Sequence, residues 1–182
     1  MREAAGEIEA VALVPAPPED VFVFLSDLAN HWSLLDRHVH VLELEGTPPD
    51  KAVVRLCGPL GVHRTVRTHV TVARSPRLII GIAELGDGTR ARVSWTLAAR
   101  LGQTRVRLAA EVEHASGFDR LLLALGGRRW LSRRFAFGLE RLADRFPTEA
   151  TTPERSQPPA ERIAPPSPSQ PGPAYPSAGG GS

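Results

Sequence analysis

The chain has 182 residues, a formal net charge of +2 and one cysteine, Cys57, which rules out an intrachain disulfide and any cysteine-rich zinc or iron–sulfur site. A charge this close to zero removes the long-range electrostatic case for DNA or RNA, and no run of 18 apolar residues offers a membrane-spanning helix. Ten of the 17 prolines lie from Pro147 onward, separating a body of ordinary one-domain size, residues 1–146, from a Pro-rich tail, 147–182, that is expected to be disordered. A body of this length buries roughly two-thirds of its extended-chain surface and needs neither metal nor disulfide to hold a core. Of the 22 basic residues only Lys51 is lysine.

The opening MREAAGEIEA carries Glu3, Glu7 and Glu9 where a secretory leader needs an apolar run, so a cytoplasmic protein is expected. Residues 7–14, EIEAVALV, form a β-compatible run that PAPP at 15–18 interrupts. Pro18 suits the first turn of a helix, and Glu19 and Asp20 follow where negative charge favours a helix N-terminus. The spacing predicts a helix over 18–26 and a short one over 29–36. Val21, Phe22, Leu25, Leu28 and Trp32 recur at three- and four-residue steps as one buried stripe. Asp27 and Asn30 are short polar residues suited to capping the turn between these helices.

After Arg37 the hydrophobic period falls from about 3.6 to 2. Strands are predicted near 38–45, 51–57, 62–73, 77–85, 90–99 and 104–114, divided by GTPPD, GPLG, RSP, GDG and LGQ. None of these connections is long enough for a crossover helix, so the strands form an antiparallel meander. From Gly117 the helical period returns through FDRLLLALGGRRWLSRRFAFGLERLADRF. That segment predicts a helix of nearly thirty residues, about 43 Å long at about 1.5 Å per residue, with a bend permitted at Gly126 and Gly127 and a stop at Pro147.

An α+β architecture follows: a curved antiparallel sheet of six to seven strands around a long C-terminal helix. The segments VPAPPEDVFVFLSDLANHW at 14–32, RARVSWTL at 90–97, TRVRLAAEVE at 104–113 and the terminal LLLALGGRRWLSRRFAFGLERLA together resemble the START-like (SRPBCC) superfamily, in its bacterial polyketide cyclase/dehydrase and lipid-transport branch. The resemblance spans about residues 6–146. It implies a helix-grip fold with a cavity between helix and sheet that binds or transforms apolar ligands. The residues carrying it are mainly packing and turn residues, so they speak to fold more than to reaction.

Alternation along each strand nominates the residues facing that cavity. In 62–72 the even positions are Val62, Arg64, Val66, Thr68, Val70 and Val72, making Arg64 and Thr68 polar insertions in an apolar face. A buried guanidinium at Arg64 needs a carboxylate, a ligand anion or water; the simpler account leaves its head in solvent at the sheet rim. Trp95 shares a face with Ala91, Val93 and Leu97, where its indole would stack on a planar ligand, although core packing alone explains it equally well. Val106, Leu108, Ala110 and Val112 are expected inward. Arg90, Arg92, Arg105, Arg107, Glu111 and Glu113 are expected outward as solvated cross-strand charges. Glu84 shares parity with Ile80 and Ile82, but the opposite face of its strand is also apolar, so its direction stays open.

The expected ligand-binding set is Trp95, Arg64, Thr68 and Trp32, with no catalytic residue identified. Arg128, Arg129, Arg133 and Arg134 surround Trp130 as a broad basic face, a candidate contact for a peripheral anionic membrane or a protein; a solvated arginine face with the indole packed under the sheet is the plainer account. His38 and His40, or His63 and His69, share faces without a completing carboxylate, and no HExxH, GxSxG or phosphate-loop pattern occurs. No metal and no cofactor is therefore expected. The leading functional expectation is binding or carriage of an apolar or aromatic small molecule, lipid or polyketide-like, in an internal cavity. The alternatives are a polyketide cyclase or aromatase using the same cavity, and a non-enzymatic interaction protein whose cavity is filled.

Overall fold

Two short helices connect the opposite edges of one sheet. The computed structural model describes residues 7–35, 39–57, 61, 63–86 and 88–147; His38, Val62 and the tail expected over 147–182, apart from Pro147 itself, lie outside them. Strand β1 (Ile8–Val14) is followed by helices α1 (Pro18–Ser26) and α2 (Leu28–Ser33). Strands β2 (Val39–Gly46), β3 (Pro49–Cys57), β4 (His63–Arg74), β5 (Leu78–Leu85), β6 (Arg90–Arg100) and β7 (Gln103–His114) come next. The sheet order is β1-β7-β6-β5-β4-β3-β2, and every pairing is antiparallel. The predicted meander is thus present, and β1 joins its far edge by pairing with β7.

Pro18 occupies the start of α1, with Glu19 and Asp20 in its first turn. Burying Val21, Phe22 and Leu25 fastens α1 to the sheet. The Ser26 hydroxyl donates back to Phe22 O at 2.8 Å, and the Asp27 carboxylate accepts from Ala29 N at 2.8 Å, ending one helix and capping the next. Asn30 Nδ2 donates to Phe24 O at 2.9 Å. The expected turn roles of Asp27 and Asn30 are therefore met, and α2 stops three residues before the predicted 36.

The C-terminal segment departs from a single straight rod. Helix α3 (Gly117–Leu122) leads through a wider-wound π turn, Leu123–Gly127, into helix α4 (Arg128–Asp144). The break is at the glycine pair: Gly126 adopts φ +112, and a Cβ at Gly127 would stand 2.7 Å from Leu122 O. Only glycine meets both demands without strain. The unbroken rod is then α4 alone, 17 residues or roughly 25 Å, rather than the predicted 43 Å. It still lies across the concave face: Leu139 and Leu142 are fully buried with Val14, Val106 and Leu108 in the main core, and Ser132 Oγ donates to Glu9 O of β1 at 3.3 Å. This is a helix-grip fold.

One register shift alters the predicted alternation. β4 carries an extra residue between Val70 and Val72 opposite β5, and the Thr71 hydroxyl donates to Ile80 O at 3.1 Å across that bulge. Val72 consequently pairs with Ile80 on the outer face, so the inward run of β4 ends at Val70. Outward charges pair as expected. Glu113 meets Arg92 at 2.7 Å and Arg90 at 3.2 Å, and Arg107 meets Glu9 at 2.6 Å and Glu7 at 2.8 Å. No helix among the described residues is long and apolar enough to cross a membrane.

Candidate functional site

The concave face holds a cavity of about 610 Å³, within the range that accepts a drug-sized ligand. Its existence follows from the register. Thr68, Ala83 and Ala91 stand in one row across β4 to β6, and Val70, Gly81, Val93 and Ala110 form the next, across β4 to β7. Short side chains on four neighbouring strands leave volume that the covering helices do not fill. Larger apolar groups close the margins: Val54 and Leu56 from β3, Leu85 from β5, Leu108 and Val112 from β7, and Leu131 and Phe135 from α4. The expected internal cavity is present, and the filled-cavity alternative is not met: the small-residue rows keep this space open.

All four residues expected to bind ligand line this cavity: Trp95, Arg64, Thr68 and Trp32. Trp95 is buried on β6 with Leu97. Trp32 Nε1 is buried without a hydrogen-bond partner among the described residues. Arg64 is not a rim residue with its head in solvent. Its Nη2 bonds Asp119 Oδ1 at 3.1 Å, and its guanidinium lies 4.6 Å from the centre of the Phe118 ring. Asp119, buried on α3, also accepts from Thr89 Oγ1 at 2.5 Å, and Thr89 Oγ1 in turn accepts from Ser116 N at 3.0 Å. Three elements are pinned into one polar corner in which the guanidinium charge is met by the protein's own carboxylate.

Glu84 lies on the outer face, 3.2 Å from Arg90, because the odd residues Ile79, Gly81, Ala83 and Leu85 line the cavity. The arginine cluster does not form one face. Arg134 and Trp130 line the cavity, with the guanidinium 5.4 Å from the indole centre, whereas Arg129 and Arg133 are exposed one turn apart. Arg128 is partly buried. Among the described residues no group of three His, Cys, Asp or Glu side chains is arranged to hold a metal.

Sequence reasoning passed over two residues of this site. His31 of α2 is buried, lines the cavity and lies 5.2 Å from the Trp95 ring at an interplanar angle of 54°. Its Nε2 is 2.5 Å from Leu25 O. Burial lowers its pKa to about 4, against opposing contributions from the Leu25 carbonyl and from Asp27, so the ring is neutral at pH 7. The signal was present: His31 falls three residues after Leu28 and six after Leu25, on the stripe already assigned to the core. Asp119 stands three residues after the Ser116 cap, so it reads as a local helix-start residue, and its pairing across 55 residues to Arg64 has no local trace.

Residues 5–147 match the family described as polyketide cyclase / dehydrase and lipid transport. Among solved structures, the fold is similar to TTHA0849 from Thermus thermophilus, at 22% identity and TM-score 0.57, over 78% of this chain and 97% of that one. It is likewise similar to Ms6760 from Mycobacterium smegmatis, at 12% identity and TM-score 0.58, over 78% and 90%, and to the KanY protein, at 22% identity and TM-score 0.61, over 78% and 97%. No curated protein matches. The matched span, the helix-grip architecture and the open apolar cavity agree, and the chain belongs to the polyketide cyclase/dehydrase and lipid-transport family of the START-like superfamily.

Proposed function

We propose that this protein binds and carries an apolar or aromatic small molecule, lipid or polyketide-like, within residues 1–146. The observation behind the reading is the cavity of about 610 Å³ lined almost throughout by apolar side chains, where desolvation supplies affinity. Trp95 and Trp32 offer aromatic surface to a ligand, Thr68 offers a hydroxyl, and Arg64 shapes the polar corner. Carriage is placed ahead of cyclisation because the carboxylate that lines the cavity, Asp119, is already bound by Arg64 and Thr89. The proposal sets this carriage in the cytoplasm, in keeping with a chain whose single cysteine, Cys57, is free. It leaves the Pro-rich segment 147–182 outside the binding unit.

Native mass spectrometry after gentle purification tests the reading. The expected result is a mass increment that denaturation releases, or uptake from a panel of fatty acids and polyaromatic compounds. A protein that stays at its apo mass throughout the panel contradicts carriage. The reading extends to an anionic membrane surface, on the strength of Arg129 and Arg133 and of Phe118, Leu121 and Leu125, all exposed on the C-terminal segment. Sedimentation with phosphatidylglycerol vesicles should then fall with added salt and with Arg129→Gln and Arg133→Gln. Association indifferent to both removes the extension.

A further inference from the structure

One set of polar groups in the cavity lining is bonded side chain to side chain. Arg64, Asp119 and Thr89 bond one another. His31 is different. A carbonyl only accepts, so the 2.5 Å contact between Nε2 and Leu25 O assigns the ring proton of the neutral imidazole to Nε2 and leaves a lone pair on Nδ1. Among the described residues no donor meets that lone pair. The Nε2 bond and the contact with Trp95 at 5.2 Å hold the ring in one orientation against the cavity that it lines.

We infer that Nδ1 of His31 is the polar anchor of the cavity, accepting a hydrogen bond from a ligand hydroxyl, so that the protein selects hydroxylated aromatic molecules over their ethers and hydrocarbons. The inference rests on the carriage reading above and adds the class of molecule carried. A ligand carbonyl or carboxylate at this position would set lone pair against lone pair. An ammonium would carry a charge into apolar surroundings, which costs far more than one hydrogen bond returns. A neutral hydroxyl meets the site, and the adjoining Trp95 indole supplies a flat wall for an aromatic ring bearing it.

The test uses the full chain and displacement of N-phenyl-1-naphthylamine, an apolar fluorescent reporter, by 2-naphthol and by 2-methoxynaphthalene. These competitors differ in the single donor. Wild type should bind 2-naphthol about five- to tenfold more tightly, the ratio expected of one net hydrogen bond, and His31→Phe should bring that ratio close to one. Equal displacement by both competitors in wild type, or a preference that survives His31→Phe, overturns the inference while leaving carriage intact. A reporter that is never taken up overturns carriage and this inference together. Because His31→Phe also removes the bond to Leu25 O, wild-type ¹⁵N spectra give a second measurement independent of that variant. The His31 Nδ1 resonance should move upfield with 2-naphthol and hold its position with 2-methoxynaphthalene, and an unmoved resonance with both overturns the assignment.

Discussion

The two polar ends of the cavity make opposite use of buried hydrogen-bonding groups. At the α3 end, Arg64, Thr89 and Asp119 bond one another and join β4, the turn before β6 and the C-terminal segment. At the α2 end, His31 spends one nitrogen on the Leu25 carbonyl, and Trp32 Nε1 has no partner among the described residues. The first arrangement ties parts of the chain distant in sequence to one another, whereas the second is local to the first two helices and leaves Trp32 Nε1 and one ring nitrogen of His31 to a bound molecule. A buried polar group with no partner costs about 1–3 kcal/mol, so a bound molecule that meets Trp32 Nε1 gains at the α2 end.

Substitutions should separate these ends. Asp119→Ala strands a partly buried guanidinium and removes the acceptor for Thr89; chemical denaturation should register a loss of about 3 kcal/mol. A loss below about 1 kcal/mol would mean that the corner does not support the fold. Acid should weaken the α2 end next. The folded pKa of His31 is depressed to about 4 from 6.5, so below about pH 6.5 the unfolded chain takes up a proton that the folded chain refuses. Stability therefore falls as pH drops from 6.5 towards 4 and levels off below that. The His31 contribution between pH 7.5 and pH 5 is about 2 kcal/mol, measured as the slope that His31→Phe abolishes; an identical pH profile in the variant would contradict it. The smallest effect belongs to the outer face. Glu113→Gln, which loses contacts with half-exposed Arg90 and Arg92, should cost under about 1 kcal/mol and leave reporter binding unchanged.

Much of this molecule was legible in the sequence because local periodicity carries it. The change of period after Arg37 and its return at Gly117 delimit the sheet, and alternation placed Trp95, Arg64 and Thr68 towards the cavity correctly. Periodicity failed where the backbone breaks its own repeat. The Thr71 bulge turned Val72 outward, and the Gly126–Gly127 pair divided the predicted rod. It was silent where partners are distant in sequence, as with Arg64 and Asp119. The arginine cluster divided for a simpler reason: neighbouring positions on one helix point in different directions, so Arg134 and Trp130 reach the cavity while Arg129 and Arg133 face water.

The most direct test of the central claim fills the cavity without touching its polar ends. Ala83 of β5 lies in the row of small residues between Thr68 and Ala91 and lines the cavity. Ala83→Trp puts an indole into that space. Uptake of N-phenyl-1-naphthylamine, compared between wild type and Ala83→Trp with far-ultraviolet circular dichroism confirming the fold of both, reads out whether the space binds. Wild type should bind the reporter saturably and the filled variant at least about tenfold more weakly, the loss expected when bulk displaces a ligand from an apolar pocket. Equal uptake by the two folded proteins would contradict the account.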